Sequence, residues 1–416
     1  MFAERNKRLD IYSLYKPAYL LSKVLLLAPF SLHRSECESK KKYCLLQVLL
    51  IGCMTYICYQ SLNDVVFQKN FGSSTIVMYF NKVLSVLQMI VVIIIFVTSH
   101  LYAQEAPDIL AMVNTLDNIV NKHNMAASTD CNTFNTRIVL LYACMANLLI
   151  GKVLLDMYLD GIISFDNIFK FASRMLSGAI IVQYATILNT VYWKMKIVND
   201  YIEQYSINKV LLVKQECFFL LQQIYEICLK VEKIFGLSLA SVFFVIFIEY
   251  LQMMFAWLAT YWIRGVKITE ILKLSKFALW TTIINSFWTT FVHCNMPFFF
   301  ADRIHKEANR SGEVTGKLYH QALGSRPLRK FVHQLQFQIA QNKITLTAAK
   351  FIKLGWNQTF LMYGGVISYS IVSCQLYLNV KQIEFDSAHN VTVTQQVPTL
   401  VWLNVRKSFD RYRQND

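Results

Sequence analysis

Four charged residues lie inside long apolar runs of this 416-residue chain: Lys82, Lys152, Asp156 and Glu249. A charge at mid-membrane depth costs on the order of 3 kcal/mol even on a permissive insertion scale, so such residues pair with one another or serve a function. Lys152 and Asp156 stand four apart, which puts them on one helix face within pairing reach. With Lys82 they describe either a polar patch in a ligand cavity or an ion pair that locks two helices. Aromatics gather at the same level, with Trp257, Tyr261 and Trp262 closing one apolar run and Trp280 and Trp288 opening the next. Aromatic walls with a few polar groups make small-molecule pockets, and interfacial belts use the same residues. Tyr261, Trp262 and Trp280 suit the belt; Trp257 and Trp288 sit deeper and suit a pocket. Glu249, near the middle of its run, is expected to bond a neighbouring helix.

Enzyme chemistry is not expected. The sequence has no GxSxG, no Walker A loop and no HExxH, and its eight His are scattered without partners at ligand spacing. The ten Cys lie mostly in or beside apolar runs with no CxxC, so they read as small core residues. No cofactor or metal is implied.

The elements that position these residues follow from hydropathy. Apolar residues make up 55% of the chain and charged ones only 16%, against roughly a quarter in ordinary globular proteins. Seven stretches are long enough to cross about 30 Å of hydrocarbon as helices: Tyr43 to Leu62, Met78 to Tyr102, Ile138 to Tyr158, Met175 to Trp193, Leu237 to Trp262, Phe277 to Phe300 and Phe360 to Leu378. The expected fold class is an all-α membrane protein. Its segments are a cytosolic N-terminal part (1–42), transmembrane helices one to six (43–300), a cytosolic loop with anchor helices (301–359), a seventh helix (360–378) and an extracellular tail (379–416). The charged start lacks an apolar core with a cleavage site, so a cleaved signal peptide is not expected.

Lys and Arg number 27 in the segments on one side of these helices and 12 on the other. The positive-inside rule then places the N terminus in the cytosol and the C terminus outside, opposite to G-protein-coupled receptors. The net charge of +15 is thereby a matter of orientation, and no nucleic-acid partner is implied. Asn390-Val391-Thr392 in the tail is a glycosylation sequon on the outer side; Asn309-Arg310-Ser311 and Asn357-Gln358-Thr359 fall on the cytosolic side. The long cytosolic loops carry apolar residues three and four apart, as in VLLVKQECFFLLQQIYEICLKVEKIF. Such helices either continue below the bilayer as a bundle suited to subunit contact or lie along its surface.

The last helix has an unusual outer half, Ser368-Tyr369-Ser370-Ile371-Val372-Ser373-Cys374-Gln375-Leu376. Ser368, Val372 and Gln375 fall on one face, and small polar side chains there either line a water path or pack helices. This stretch resembles the TYxxxxxQF signature of insect gustatory receptors. Tyr369 and Gln375 match with the right gap, while Ser368 replaces Thr and Leu376 replaces Phe. The preceding run from Phe331 and LYKPAYLLSKVLLLAPFSL near the start are also similar to that family.

The resemblance implies a tastant-gated, non-selective cation channel in the plasma membrane of gustatory sensory neurons. It implies a homotetramer or a heteromeric assembly with other gustatory receptor subunits, embedded in membrane lipid, each subunit holding its own small-molecule tastant pocket. Gln375 and Leu376 would sit at the extracellular gate, with Tyr369 lower and Ser368 and Val372 on the pore face. The family's pocket residues vary, so the ligand-binding candidates remain Lys82, Lys152, Asp156, Trp257, Asn285 and Trp288. A sugar site favours carboxylates or amides near aromatics, and only Asp156 and Asn285 qualify. The aromatic, mixed-charge set suits a bitter or otherwise aversive compound somewhat better. A G-protein-coupled receptor needs the opposite topology, and a carrier needs paired broken helices that are not visible.

Overall fold

A computed structural model describes residues 40–63, 75–103, 105–122, 165–204, 214–258 and 291–389, with some residues between 18 and 27 and between 137 and 151. Among the described residues the chain is almost wholly helical. The helices are α1 (Lys40–Asn63), α2 (Thr75–Leu101), α3 (Glu105–Lys122), α4 (Phe165–Gln204), α5 (Lys214–Leu258), α6 (Met296–Gln321), α7 (Arg326–Gln341) and α8 (Trp356–His389). A π-helical turn, Phe291–Asn295, leads into α6, and a small hairpin of β1 (Thr347–Ala348) and β2 (Ile352–Lys353) precedes α8.

Among the described residues five helices are long and apolar enough to cross a membrane, α1, α2, α4, α5 and α8. They coincide with the first, second, fourth, fifth and seventh expected spans. The stretch from Ile138 to Tyr158 and most of that from Phe277 to Phe300 lie outside the described residues.

α4 and α5 run well past the expected spans, to 40 and 45 residues. At 1.5 Å per residue these are rods of about 60 and 68 Å, twice the hydrocarbon thickness. In both, the chain continues as one helix beyond the expected span. Hydropathy alone could not mark it, because the continuing turns alternate Lys194, Lys196, Asn199 and Asp200 with buried Met195, Val198 and Ile202.

α4 is the centre of the molecule. Ala179, Ile181, Val182, Ala185, Leu188, Val191 and Val198 are wholly inaccessible. Small residues let the neighbours approach: a Cβ on Gly178 would stand 2.6 Å from the ring of Tyr142, so only glycine fits there. Below the expected span the contacts become polar. Asn199 donates to both the carbonyl and the carboxylate of Glu307, at 3.0 and 2.9 Å, and accepts from Ser311 at 2.8 Å. Arg310 spans Asp200 and Glu203 at 2.6 and 2.7 Å, and Lys194 pairs with Asp117 of α3.

The hairpin is the one feature of 301–359 that periodicity did not foretell. Its turn places Ala349 and Lys350 at φ 51° and 66°, a left-handed conformation uncommon for residues with a Cβ. Three contacts hold it. Thr347 donates to Glu232 of α5, the Leu346 amide donates to His305 Nε2 of α6 at 3.1 Å, and Ala349 lies against Gly236, where a Cβ would meet its nitrogen at 3.2 Å. Leu346, Ala348 and Leu354 are buried beneath it.

Candidate functional site

Glu249 of α5 is where three helices meet. Its Oε1 accepts from Gln88 Nε2 of α2 at 2.5 Å and from Arg174 Nη2 of α4 at 3.5 Å. The ion pair is largely shielded, with 25% and 15% of the Arg174 and Glu249 side chains accessible. Arg174 and Glu249 each lie nine residues from a helix end, Phe165 and Leu258 respectively, about 14 Å along the axis.

His293 extends the cluster from the π-helical turn. Its Nε2 lies 3.1 Å from Ser177 Oγ and 3.3 Å from the Arg174 carbonyl. Pro297 has no N–H for the His293 carbonyl that an α-helical ladder would pair with it, and the widened turn relaxes the ladder at this point. Tyr142 packs beside Gly178 and donates to the Met175 carbonyl at 2.5 Å. Val91, Val242, Val245 and Ile246 complete an apolar wall around a cavity of about 30 Å³. The arrangement offers paired charge, an amide and hydroxyl groups against branched aliphatic side chains, which is how small-molecule sites combine orientation with burial.

The expectation that Glu249 bonds a neighbouring helix is met twice over. Lys82 is half-buried on α2, six residues before Gln88, and Trp257 is the penultimate residue of α5. Lys152, Asp156, Asn285, Trp288 and Asn390 lie outside the described residues. Arg174, Gln88, Ser177 and His293 were not anticipated. Arg174 stood one residue outside the expected fourth span, beginning at Met175, and so was counted as a loop charge. Gln88 and His293 lay inside expected spans, and a search for polar residues extended from Asp, Glu, Lys and Arg to amides and imidazoles would have found them.

The second group of candidates lies on α8. Ser368, Tyr369, Val372, Gln375 and Leu376 are all exposed, with Tyr369, Val372 and Leu376 accessible to 59%, 49% and 60%. Ser370 is buried and turned back onto the Val366 carbonyl at 2.7 Å. α8 packs on α5 through the ring of Tyr369, edge-on to Phe247 with centroids 6.1 Å apart, and through Gly365, where a Cβ would stand 3.4 Å from that same ring. Tyr363 donates to Asn295 of the π-helical turn at 3.2 Å, so α8 also touches the element that carries His293. Ser311, of the sequon Asn309-Arg310-Ser311, is buried in the α4–α6 contact, while Asn309 is exposed.

No protein of curated function matches the sequence. Two solved structures of the insect olfactory receptor OR5 from Machilis hrabei share the fold. The complex with eugenol has a TM-score of 0.65 at 12% identity, and the second structure has 0.63 at 13%. Each likeness covers 89% of this chain and 100% of that one. The family model of the 7tm chemosensory receptor matches residues 15–379, nearly the whole chain. The chain therefore belongs to the 7tm chemosensory receptor family.

Proposed function

We propose that this protein is a subunit of a tastant-gated, non-selective cation channel of the gustatory type, with a cytosolic N terminus and an extracellular C terminus. The observation that carries the reading is α8. It is apolar enough to span a membrane, yet only 17% of its span is buried by its own chain, and its exposed surface mixes Ser368, Tyr369 and Gln375 with aliphatic residues. A lipid-facing helix has no use for an amide, whereas a helix that meets its copies around a water path does. Four such subunits, identical or mixed, would enclose one pore, with Gln375 and Leu376 at its outer constriction. The Tyr369 and Gln375 match favours a gustatory over an olfactory role. The cluster around Glu249 is the ligand site of this reading. A ligand that fits it better in the open arrangement shifts the equilibrium toward conduction, and the Tyr363–Asn295 and Tyr369–Phe247 contacts connect the site to α8.

Whole-cell recording with staining of a C-terminal epitope tests the proposal. Surface staining without permeabilisation, and a ligand-evoked cation current altered by Gln375→Ala, is the expected result. An epitope reachable only after permeabilisation overturns the topology and favours a G-protein-coupled receptor. A current indifferent to changes at Gln375, Val372 and Leu376 overturns the pore assignment.

A further inference from the structure

A second cavity lies where α4, α5, α6 and α7 converge, on the side of the molecule that the proposed topology places in the cytosol. Its volume is about 80 Å³, against about 30 Å³ beside Glu249, and none of its lining residues falls within an expected span. Met195, Leu221, Ile339 and Ile344 give it apolar walls, Met195 and Leu221 being buried. Asn309 and Lys343 also line it and are exposed, which puts its mouth at their level.

The polar lining divides into two kinds. Gln338 and Asn342 are already bonded: Gln338 Nε2 donates to the Phe218 carbonyl at 3.2 Å and Asn342 Nδ2 to Gln222 Oε1 at 2.8 Å, which pins the end of α7 to α5. The side chains of Tyr225, Asn309 and Lys343 make no hydrogen bond or ion pair among the described residues. All three can donate, as a phenol, an amide and an ammonium. Among the described residues no carboxylate lines the cavity. Glu226 and Glu307, next in sequence to Tyr225 and Ala308, are engaged by Gln222 and by Asn199 and Arg310. From Val314 to Ile383 the sequence has no Asp or Glu, so nothing on α7 or the hairpin neutralises Lys343.

These features select the occupant. Lys343 repels a cation, and a neutral molecule leaves that charge where water already solvates it. A carboxylate accepts from all three donors, one of the bonds being to an ammonium and so charge-assisted on both sides. An inorganic anion would leave the apolar walls wet, whereas an aliphatic tail covers them. Size limits the tail: a cavity of about 150 Å³ takes one benzene, so one of about 80 Å³ takes roughly three carbon atoms.

We propose that this cavity is a second ligand site, separate from the Glu249 cluster, and that it binds a short-chain monocarboxylate of butyrate size. The carboxylate lies with Lys343, Asn309 and Tyr225, and the tail lies against Met195, Leu221 and Ile339.

Saturation-transfer NMR on the purified full-length chain in detergent tests it, with butyrate, acetate, hexanoate, butyramide and butylammonium as probes. The expected result is saturable binding of butyrate, with acetate about fifteenfold weaker, at about fourfold for each methylene removed. Hexanoate should bind no tighter than butyrate, because the cavity is already filled, and butyramide and butylammonium should bind at least tenfold more weakly. Lys343→Met keeps the length of the side chain and removes its charge, and should weaken butyrate tenfold or more while leaving butyramide unchanged. Asn309→Asp sets a carboxylate at the mouth and should exchange butyrate for butylammonium. Both positions are exposed, and whichever variant retains the wild-type melting transition carries the test. Absence of butyrate binding, butyrate affinity indifferent to these substitutions, butyramide as tight as butyrate, or affinity that keeps rising to hexanoate overturns the proposal.

Discussion

α4 and α8 present nearly the same apolar content and opposite surroundings. Both are apolar enough to span a membrane, yet 78% of the first span is buried within the chain and 17% of the second. Hydropathy reports that a helix leaves water; it does not say whether its neighbours are its own chain, lipid or another subunit. The distinction lies in what packs against each helix. α4 places Ser173, Ser177, Gly178, Ala179 and Ala185 where other helices press against it, while the exposed face of α8 carries Phe360, Leu361, Ile367, Ile371 and Leu376 with little against them. α4 is enclosed by its own chain, and most of α8 is not.

Paired substitutions on the two helices can break that contrast. Leu188→Ala empties a wholly buried site in α4 and should cost about 2–5 kcal/mol, whereas Leu376→Ala, 60% exposed on α8, should leave the melting of the isolated subunit almost unchanged. Equal melting shifts in detergent would show that the two helices are not differently enclosed. Gly178→Ala forces a methyl to 2.6 Å from Tyr142 and should destabilise by about 1–3 kcal/mol, while Gly364→Ala on α8, with open space around it, should be neutral or slightly stabilising. Asn199→Ala strips the α4–α6 contact of the amide that serves Glu307 and Ser311. A loss of about 1–2 kcal/mol is expected, against a few tenths for Ser368→Ala, whose hydroxyl bonds only the Gly364 carbonyl of its own helix.

The smallest effect concerns the junction before α8. His305 must be neutral at Nε2 to accept the Leu346 amide, and burial, followed by the nearby Lys353 charge, lowers its pKa from 6.5, with Asp302 opposing. The folded chain thus binds this proton less readily than the unfolded one. Its contribution is complete above pH 6.5 and declines as the pH falls below that value. Melting curves between pH 8 and about 5 should show the wild type losing more stability than His305→Phe as the pH falls. A steeper loss in the variant would exclude the assigned tautomer.

The sequence conveyed the membrane class, the existence and approximate centres of five of the seven expected spanning helices, and the partner-seeking nature of Glu249. Each depends on a signal spread over twenty residues or on the high cost of a buried charge. The ends of α4 and α5 were not legible, because a helix leaving the bilayer keeps its 3.6-residue period while its hydropathy falls. The hairpin was not legible either: Ala349 and Lys350 are poor candidates for a left-handed turn and adopt it because Gly236, Glu232 and His305 hold the strands from outside. The Glu249 cluster was half legible. Its carboxylate stood out in an apolar run, but its arginine sat at a span boundary, and its amide and imidazole carry no formal charge to draw attention.

α5 carries Glu249 near one end and Glu232 and Gly236 near its middle, so the cluster and the hairpin that leads into α8 are attached to one uninterrupted rod, roughly 20–25 Å apart along its axis. A stiff rod works as a lever. Tilting it by about 3° about its midpoint swings each extremity by nearly 2 Å, the size of the helix shifts that switch packed interfaces. Communication between the cluster and α8 then needs no chain of rearranging side chains, only a change in the angle at which one helix stands.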